Sequence, residues 1–246
     1  MDTKVWAHRG ASAYAPENTL EAFELAAQMH ADGVELDIQL TRDGEMVVTH
    51  DEEIKRVTGQ PGCVKDYTLA ELKAMKFNRT HPEFDNARIP TLEEVYRLLK
   101  PTGLTINVEL KTGIFWYKGM EEKVLQLTKD LGMEDAVVYS SFNHYTLVHM
   151  RKLDSSIRTG LLYSDDWIDV FPYAKNTALV NYLHPAIYHL QDPAYVEKAH
   201  AFGLETHVWT VNDEQYMKLC AKMGTEAIIT NKPDLCRKVL TAAEKQ

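Results

Sequence analysis

Two short runs in the 246-residue sequence place carboxylates at alternate positions in otherwise apolar stretches. In "GVELDIQL" (33–40), strand alternation sends Val34, Leu36, Ile38 and Leu40 to one face and Glu35, Asp37 and Gln39 to the other. "INVELK" (106–111) repeats the arrangement, with Ile106, Val108 and Leu110 on one face and Asn107, Glu109 and Lys111 opposite. If the apolar faces meet helices, three carboxylates point inward, where like charges repel and desolvation penalises each ion. A divalent cation resolves the conflict, and all-oxygen ligands from Glu35, Asp37 and Glu109 point to Mg²⁺ or Ca²⁺ rather than zinc. The plainer alternative is an ion pair, with Lys111 the obvious partner.

The run "AHRGASAYAPENTLEAF" (7–23) sets His8, Arg9 and Gly10 where a short hydrophobic strand turns into a helix. His50 follows "MVVTH" after the turn Arg42-Asp43-Gly44, so it can return to the same place. Two histidines beside a metal can divide acid and base work near neutral pH. Arg9 and Lys111 can hold phosphate oxygens. A lone histidine is more often structural, and His30, His81, His144, His149 and His200 are read that way.

Positioning these groups requires a particular order of elements. β-rich runs recur at 4–7, 33–40, 105–110, 136–140, 158–162, 178–183, 205–211 and 227–230, with helix-like segments between most of them. Asn18 with Glu21 resembles a capping box, after which Leu20, Phe23 and Ala27 share a helical face. Further helices are expected over 91–99, 120–131 and 213–223. Eight strand–helix units in this length match a (β/α)₈ TIM barrel, with an open doubly wound sheet as the second choice. Barrel enzymes build their sites at the C-terminal ends of the strands, where His8 and Arg9 fall. Residues 51–90 break the rhythm with turns and one short helix at 69–75, and read as a small insertion after the second barrel strand. No linker or repeat divides the chain, so 1–246 is expected to be a single domain.

Composition narrows the partners. A net charge of −9 argues against nucleic acid or an anionic membrane surface, but not against a small anion in a locally basic pocket. No run approaches the roughly 18 apolar residues of a membrane span, and the polar start Met1-Asp2-Thr3-Lys4 lacks the apolar core of a secretory signal. Cys63, Cys220 and Cys236 are few and widely spaced, as expected of reduced thiols in a cytoplasmic protein.

"AHRGASAYAPENT", "GVELDIQLTRDGEMVVTHD" and "NVELK" resemble, in order and separation, the successive motifs of the glycerophosphodiester phosphodiesterase family. "SSF" (140–142), "HVWTVN" (207–212) and "IITNKP" (228–233) fit its later strands, so the resemblance covers nearly the whole chain. It implies a TIM barrel with a small insertion, a divalent metal on Glu35, Asp37 and Glu109, and His8 and His50 as acid and base. The implied reaction cleaves a small glycerophosphodiester such as glycerophosphocholine into sn-glycerol 3-phosphate and an alcohol. It would pass through a cyclic phosphate, with His50 as base and His8 as acid. Phe142, His184 and Trp209, at the ends of later strands, either line the glycerol pocket or simply pack. Two other readings are a related barrel phospholipase, which needs an apolar rim of which the acidic sequence gives little sign, and a non-catalytic phosphodiester-binding protein.

Overall fold

Strands buried on both faces close the sheet. The computed structural model describes residues 3–243; Met1 and Asp2, read as part of a polar lead-in, lie outside them. The strands are β1 (Lys4–His8), β2 (Gly33–Leu40), β3 (Met46–Val48), β4 (Thr105–Leu110), β5 (Val137–Ser141), β6 (Thr159–Tyr163), β7 (Tyr182–Pro185), β8 (Glu205–Val208) and β9 (Ala227–Thr230). All but β3 pair in parallel, and β1 bonds to both β2 and β9, which closes an eight-stranded (β/α)₈ barrel. β3 runs antiparallel to the end of β2, with Ile38 opposite Val48, beyond the residues that β1 reaches.

The helices are α1 (Leu20–Gln28), α2 (Lys55–Thr58), α3 (Leu69–Lys73), α4 (Leu92–Leu99), α5 (Met120–Asp130), α6 (His144–Leu153), α7 (Val170–Asn176), α8 (Tyr195–Ala201), α9 (Glu214–Met223) and α10 (Pro233–Ala243). Val34, Leu36, Ile38, Ile106, Val108 and Leu110 pack outward against Phe23 of α1, Leu92, Val95 and Tyr96 of α4, and Met120 and Val124 of α5. A second cluster, including Leu161, Leu183, Val208 and Ile228, does the same for the other half of the barrel. Removing this apolar surface from water supplies the main drive to closure. Residues 51–90 carry α2 and α3 over a small core of their own, in which Ile54, Val57, Val64, Leu72 and Phe77 meet Val47 and Ile89. Among the described residues, no helix is long and apolar enough to cross a membrane.

Two local expectations are corrected. Thr19, not Asn18, caps α1: its hydroxyl accepts from the Ala22 N–H, while Asn18 sits at φ 57° with its side chain turned into the barrel. The apolar run at 178–183 becomes strand only from Tyr182. Leu179 is left-handed at φ 56°, and the Val180 N–H donates to the Ala174 carbonyl, so the first half of the run finishes α7.

Candidate active site

The turn after β1 explains the order His-Arg-Gly. Arg9 (φ 56°) and Gly10 (φ 80°) bend the backbone back from the strand end. A Cβ on Gly10 would lie 2.7 Å from the Ala22 backbone, so glycine is needed both for the conformation and for the close approach to α1. The bend aims the Arg9 N–H at Glu35 Oε2, 3.0 Å away.

Register does the rest. Glu35 lies beside His8 of β1 and beside Asn107 of β4, and Asp37 lies beside Glu109. Ligand-capable oxygens of Glu35, Asp37 and Glu109 fall within 4.8 Å of one another, and all three residues are buried. Asn18 Nδ2 donates to Asp37 Oδ2 (2.9 Å), Arg9 Nε stands 3.5 Å from the same oxygen, and Lys111 Nζ lies 3.1 Å from Glu109 Oε1. Burial and the charges of Asp37 and Glu109 push Glu35 well above the usual carboxylate range. Glu109 is also raised by burial, although Lys111 opposes the shift. For Asp37, burial is more than offset by Arg9, His50, Lys111 and the Asn18 hydrogen bond, which hold it at about 2.

Two cations do not complete this arrangement. Asp37 Oδ1 is buried without a hydrogen-bond partner, and so are both polar atoms of the Asn107 side-chain amide. Orphaned oxygens beside two further carboxylates fit a hard divalent cation, since a buried carboxylate oxygen without a partner is costly. The ion-pair alternative holds in part, because Lys111 does pair with Glu109.

The histidines flank the cluster. His8 Nδ1 meets Asn231 Oδ1 at 2.6 Å, and its Nε2 faces Glu35 at 3.9 Å. Burial and the charge of Arg9 lower His8 to about 4. His50 Nδ1 meets Asp51 Oδ1 at 2.6 Å, which leaves Nε2 for chemistry. A hydrogen bond from His50 holds the Asp51 carboxyl far below its ordinary range, assisted by Arg56. Gln39, fully buried on β2, donates to the carbonyls of Thr49, His50 and Asp51 and accepts from the Tyr117 hydroxyl, fixing the His50 loop.

His8, Arg9, Glu35, His50, Asn107, Glu109, Phe142 and Trp209 line one cavity at the mouth, where Phe142 and Trp209 meet edge to face at 5.6 Å. His184 is not brought there. It is fully buried inside the barrel, with Nε2 3.0 Å from His207 Nδ1 and its ring edge-on to Trp6, so it belongs to the packed interior.

Several site residues escaped the sequence reading. Asp51 directly follows His50 and could have been noticed as its orienting carboxylate. Asn18 was taken for a helix cap. Arg56, from the insertion, bonds both Asp51 and Glu17, and Glu17 bonds Arg9. That chain links the His50 loop to the end of the first strand through Arg56 and Glu17, 39 residues apart in sequence, and no local pattern announces it.

A closed parallel barrel of the TIM-barrel class thus gathers two histidines, an arginine and a buried carboxylate trio at one mouth. Residues 8–235 match the glycerophosphoryl diester phosphodiesterase family, and the chain belongs to that family. A glycerophosphodiester phosphodiesterase of Caldanaerobacter subterraneus is 40% identical over 235 residues, 95% of this chain and 96% of the relative. Among solved structures, an Oleispira antarctica phosphodiesterase in complex with the product sn-glycerol-3-phosphate has 28% identity and a TM-score of 0.88, covering 97% of this chain and 96% of that one. A Thermotoga maritima glycerophosphodiester phosphodiesterase has 30% identity and a TM-score of 0.80, covering 97% and 99%.

Proposed function

We propose that the enzyme hydrolyses small glycerophosphodiesters to sn-glycerol 3-phosphate and an alcohol, with His8 and His50 as its acid–base pair and a divalent cation held by Glu35, Asp37 and Glu109. The observation that carries this reading is the buried carboxylate trio, with an unpartnered Asp37 oxygen, between two histidines. A bound Mg²⁺ or Ca²⁺ would supply positive charge against the phosphate oxygens.

Arg9 and Lys111 add fixed positive charge and orient the diester. His50, steadied through Nδ1 by Asp51, removes the proton of the glycerol 2-hydroxyl, whose oxygen attacks phosphorus. His8 protonates the departing alcohol oxygen. Burial and the charge of Arg9 lower His8 to about 4, and the negative charge of a bound phosphate acts in the opposite direction. The cyclic phosphate is then opened by water with the two roles reversed. Phe142 and Trp209 wall the pocket that receives glycerol. The three free cysteines support a reducing, cytoplasmic setting.

An analogue lacking the 2-hydroxyl tests the nucleophile. It should bind through its phosphate yet hardly turn over, because the intramolecular first step is lost. With normal substrate, quenched early time points should contain cyclic glycerol phosphate. Cleavage of the deoxy analogue at a comparable rate would replace this mechanism with direct attack by water.

A further inference from the structure

One neutral side chain in the wall of the catalytic cavity has no partner for either end. Asn107, on β4, is buried and lines the cavity together with His8, Glu35, Glu109 and Phe142. Neither its Oδ1 nor its Nδ2 has a hydrogen-bond partner among the described residues. Other neutral groups in that state, Ser140 Oγ, Thr159 Oγ1 and His184 Nδ1, lie outside the cavity lining. Leaving both ends of a buried amide unmet costs the desolvation of a donor and of an acceptor. Asn107 therefore suits a group that enters the cavity.

The divalent cation does not account for it. A cation takes the oxygen end of an amide and repels the N–H end, and Glu35, Asp37 and Glu109 already offer charged oxygens within 4.8 Å of one another. The phosphate fits no better. Its oxygens only accept, so they would meet Nδ2 and repel Oδ1. Register also sets Asn107 beside Glu35 and two positions before Glu109 on the same inward face, where further negative charge is disfavoured, whereas Arg9 and Lys111 stand against Asp37 and Glu109.

What matches the amide is a group that donates and accepts through one atom, which is a hydroxyl. Size narrows the choice. The cavity holds about 70 Å³, roughly the liquid volume of two waters at ~30 Å³ each, which admits a hydroxymethyl group and not a head group such as choline. Phe142, Leu162 and Ile229 in the same lining suit the carbon of such a group. The Trp209 indole N–H is already given to the His184 carbonyl (2.7 Å), so it does not compete for the hydroxyl.

We infer that Asn107 reads the terminal hydroxyl of the glycerol moiety, the one farthest from phosphorus, with Nδ2 donating to its oxygen and Oδ1 accepting its proton, and that the enzyme selects diesters in which this hydroxyl is free. This rests on the phosphodiesterase reading above, in which the 2-hydroxyl is the nucleophile and is not the group bound here. A substrate lacking the terminal hydroxyl leaves the buried amide unmet. Sites of that kind reject the deficient analogue far more strongly than an apolar pocket rejects a missing methylene.

The test compares sn-glycero-3-phosphocholine with its 1-deoxy analogue, which keeps the 2-hydroxyl, using the full chain with Mg²⁺. In the wild type, kcat/KM should be lower on the analogue by about 10²-fold or more. Asn107→Leu, close in volume but without polar atoms, should lose about as much on glycerophosphocholine and treat the two substrates within about threefold of each other, since the hydroxyl and the amide are deleted as one interaction. Its Mg²⁺ affinity by calorimetry should match the wild type. Equal wild-type rates on both diesters would overturn the inference and leave water as the partner of the amide. A preference that survives in Asn107→Leu would overturn it in favour of another residue, and a parallel loss of Mg²⁺ affinity would assign the amide to the metal. If the variant is too slow to assay, calorimetric binding of sn-glycerol 3-phosphate and of its 1-deoxy analogue gives the same ratio: near one in the variant supports the inference, and the wild-type ratio overturns it. If the variant does not fold, the wild-type comparison decides alone. Inactivity of the wild type on both diesters would instead sink the underlying phosphodiesterase reading.

Discussion

The two ends of the barrel interior are built from the same inward-facing strand positions, and they treat ionisable residues in opposite ways. At the C-terminal mouth, Glu35, Asp37 and Glu109 are crowded together beside Arg9 and Lys111, so charge is concentrated and partly uncompensated. Toward the N-terminal end, His184 and His207 pair with each other and pack against Trp6 and Tyr182. Burial, then the neighbouring histidine, depresses His184 far below its ordinary value, and burial lowers His207 too, so both histidines are held toward the neutral form. The mouth leaves Asp37 Oδ1 and the Asn107 amide without protein partners beside three carboxylates, whereas at the other end His184 and His207 pair and pack, with His184 Nδ1 left without a partner.

The largest test of that contrast is to neutralise the mouth. Glu35→Gln, Asp37→Asn or Glu109→Gln should each lower turnover by about 10³-fold, near the upper scale of a lost electrostatic stabiliser. In chelator, Glu35→Gln should at the same time raise Tm, because the Glu35 carboxyl titrates well above its ordinary range and its ionisation costs stability at neutral pH. Activity assays and thermal melts with and without Mg²⁺ check both. A full rate in thoroughly chelated wild type would remove the metal from the scheme.

Next come the histidines. His8→Ala and His50→Ala should each cost about 10²-fold in kcat with metal affinity little changed. His149→Ala, on an exposed residue paired only with Glu122, should stay near wild type. An activated leaving group, which needs no protonation, should rescue His8→Ala but not His50→Ala. The reverse pattern would exchange their roles.

A smaller loss, about tenfold in kcat with KM nearly constant, is expected for Arg56→Gln. The change frees Asp51 and Glu17 without touching the carboxylate trio, on the scale of a lost orienting partner. Equal losses in kcat and in metal affinity would mean that the insertion acts on the cluster rather than on His50.

The opposite end should answer in stability alone. A Cβ on Gly160 would stand 2.3 Å from His184 Nε2, so Gly160→Ala should cost about 1–3 kcal/mol in urea unfolding and leave kcat of the folded fraction intact. His184 titrates lower in the folded than in the unfolded chain, so the unfolded state binds the extra proton. Its contribution is therefore complete above about pH 6.5 and declines as pH falls below that, by up to about 1.4 kcal/mol per pH unit. His184→Gln should flatten that slope between pH 6.5 and 5. An unchanged slope would mean that other groups carry the acid sensitivity.

Strand alternation by itself determined that Glu35, Asp37 and Glu109 share a face, and the His-Arg-Gly turn marked the mouth, because a period of two is a local property of the backbone. The eight-unit rhythm likewise announced the barrel. Alternation says which face a side chain takes, but not its height along the barrel axis. His184 and Trp209 were equivalent candidates in the sequence, yet one lies in the closed interior and the other at the cavity wall. Height follows from the stagger of all eight strands, which exists only once β9 has closed on β1. The link from Asp51 through Arg56 and Glu17 to Arg9 was likewise left to the tertiary structure, since it joins an insertion, a loop and a strand end whose proximity no local period encodes. Asn18 was misread for the same reason: asparagine before a helix is a sound local signal for a cap, and only the folded barrel brings Asp37 close enough to take its amide instead.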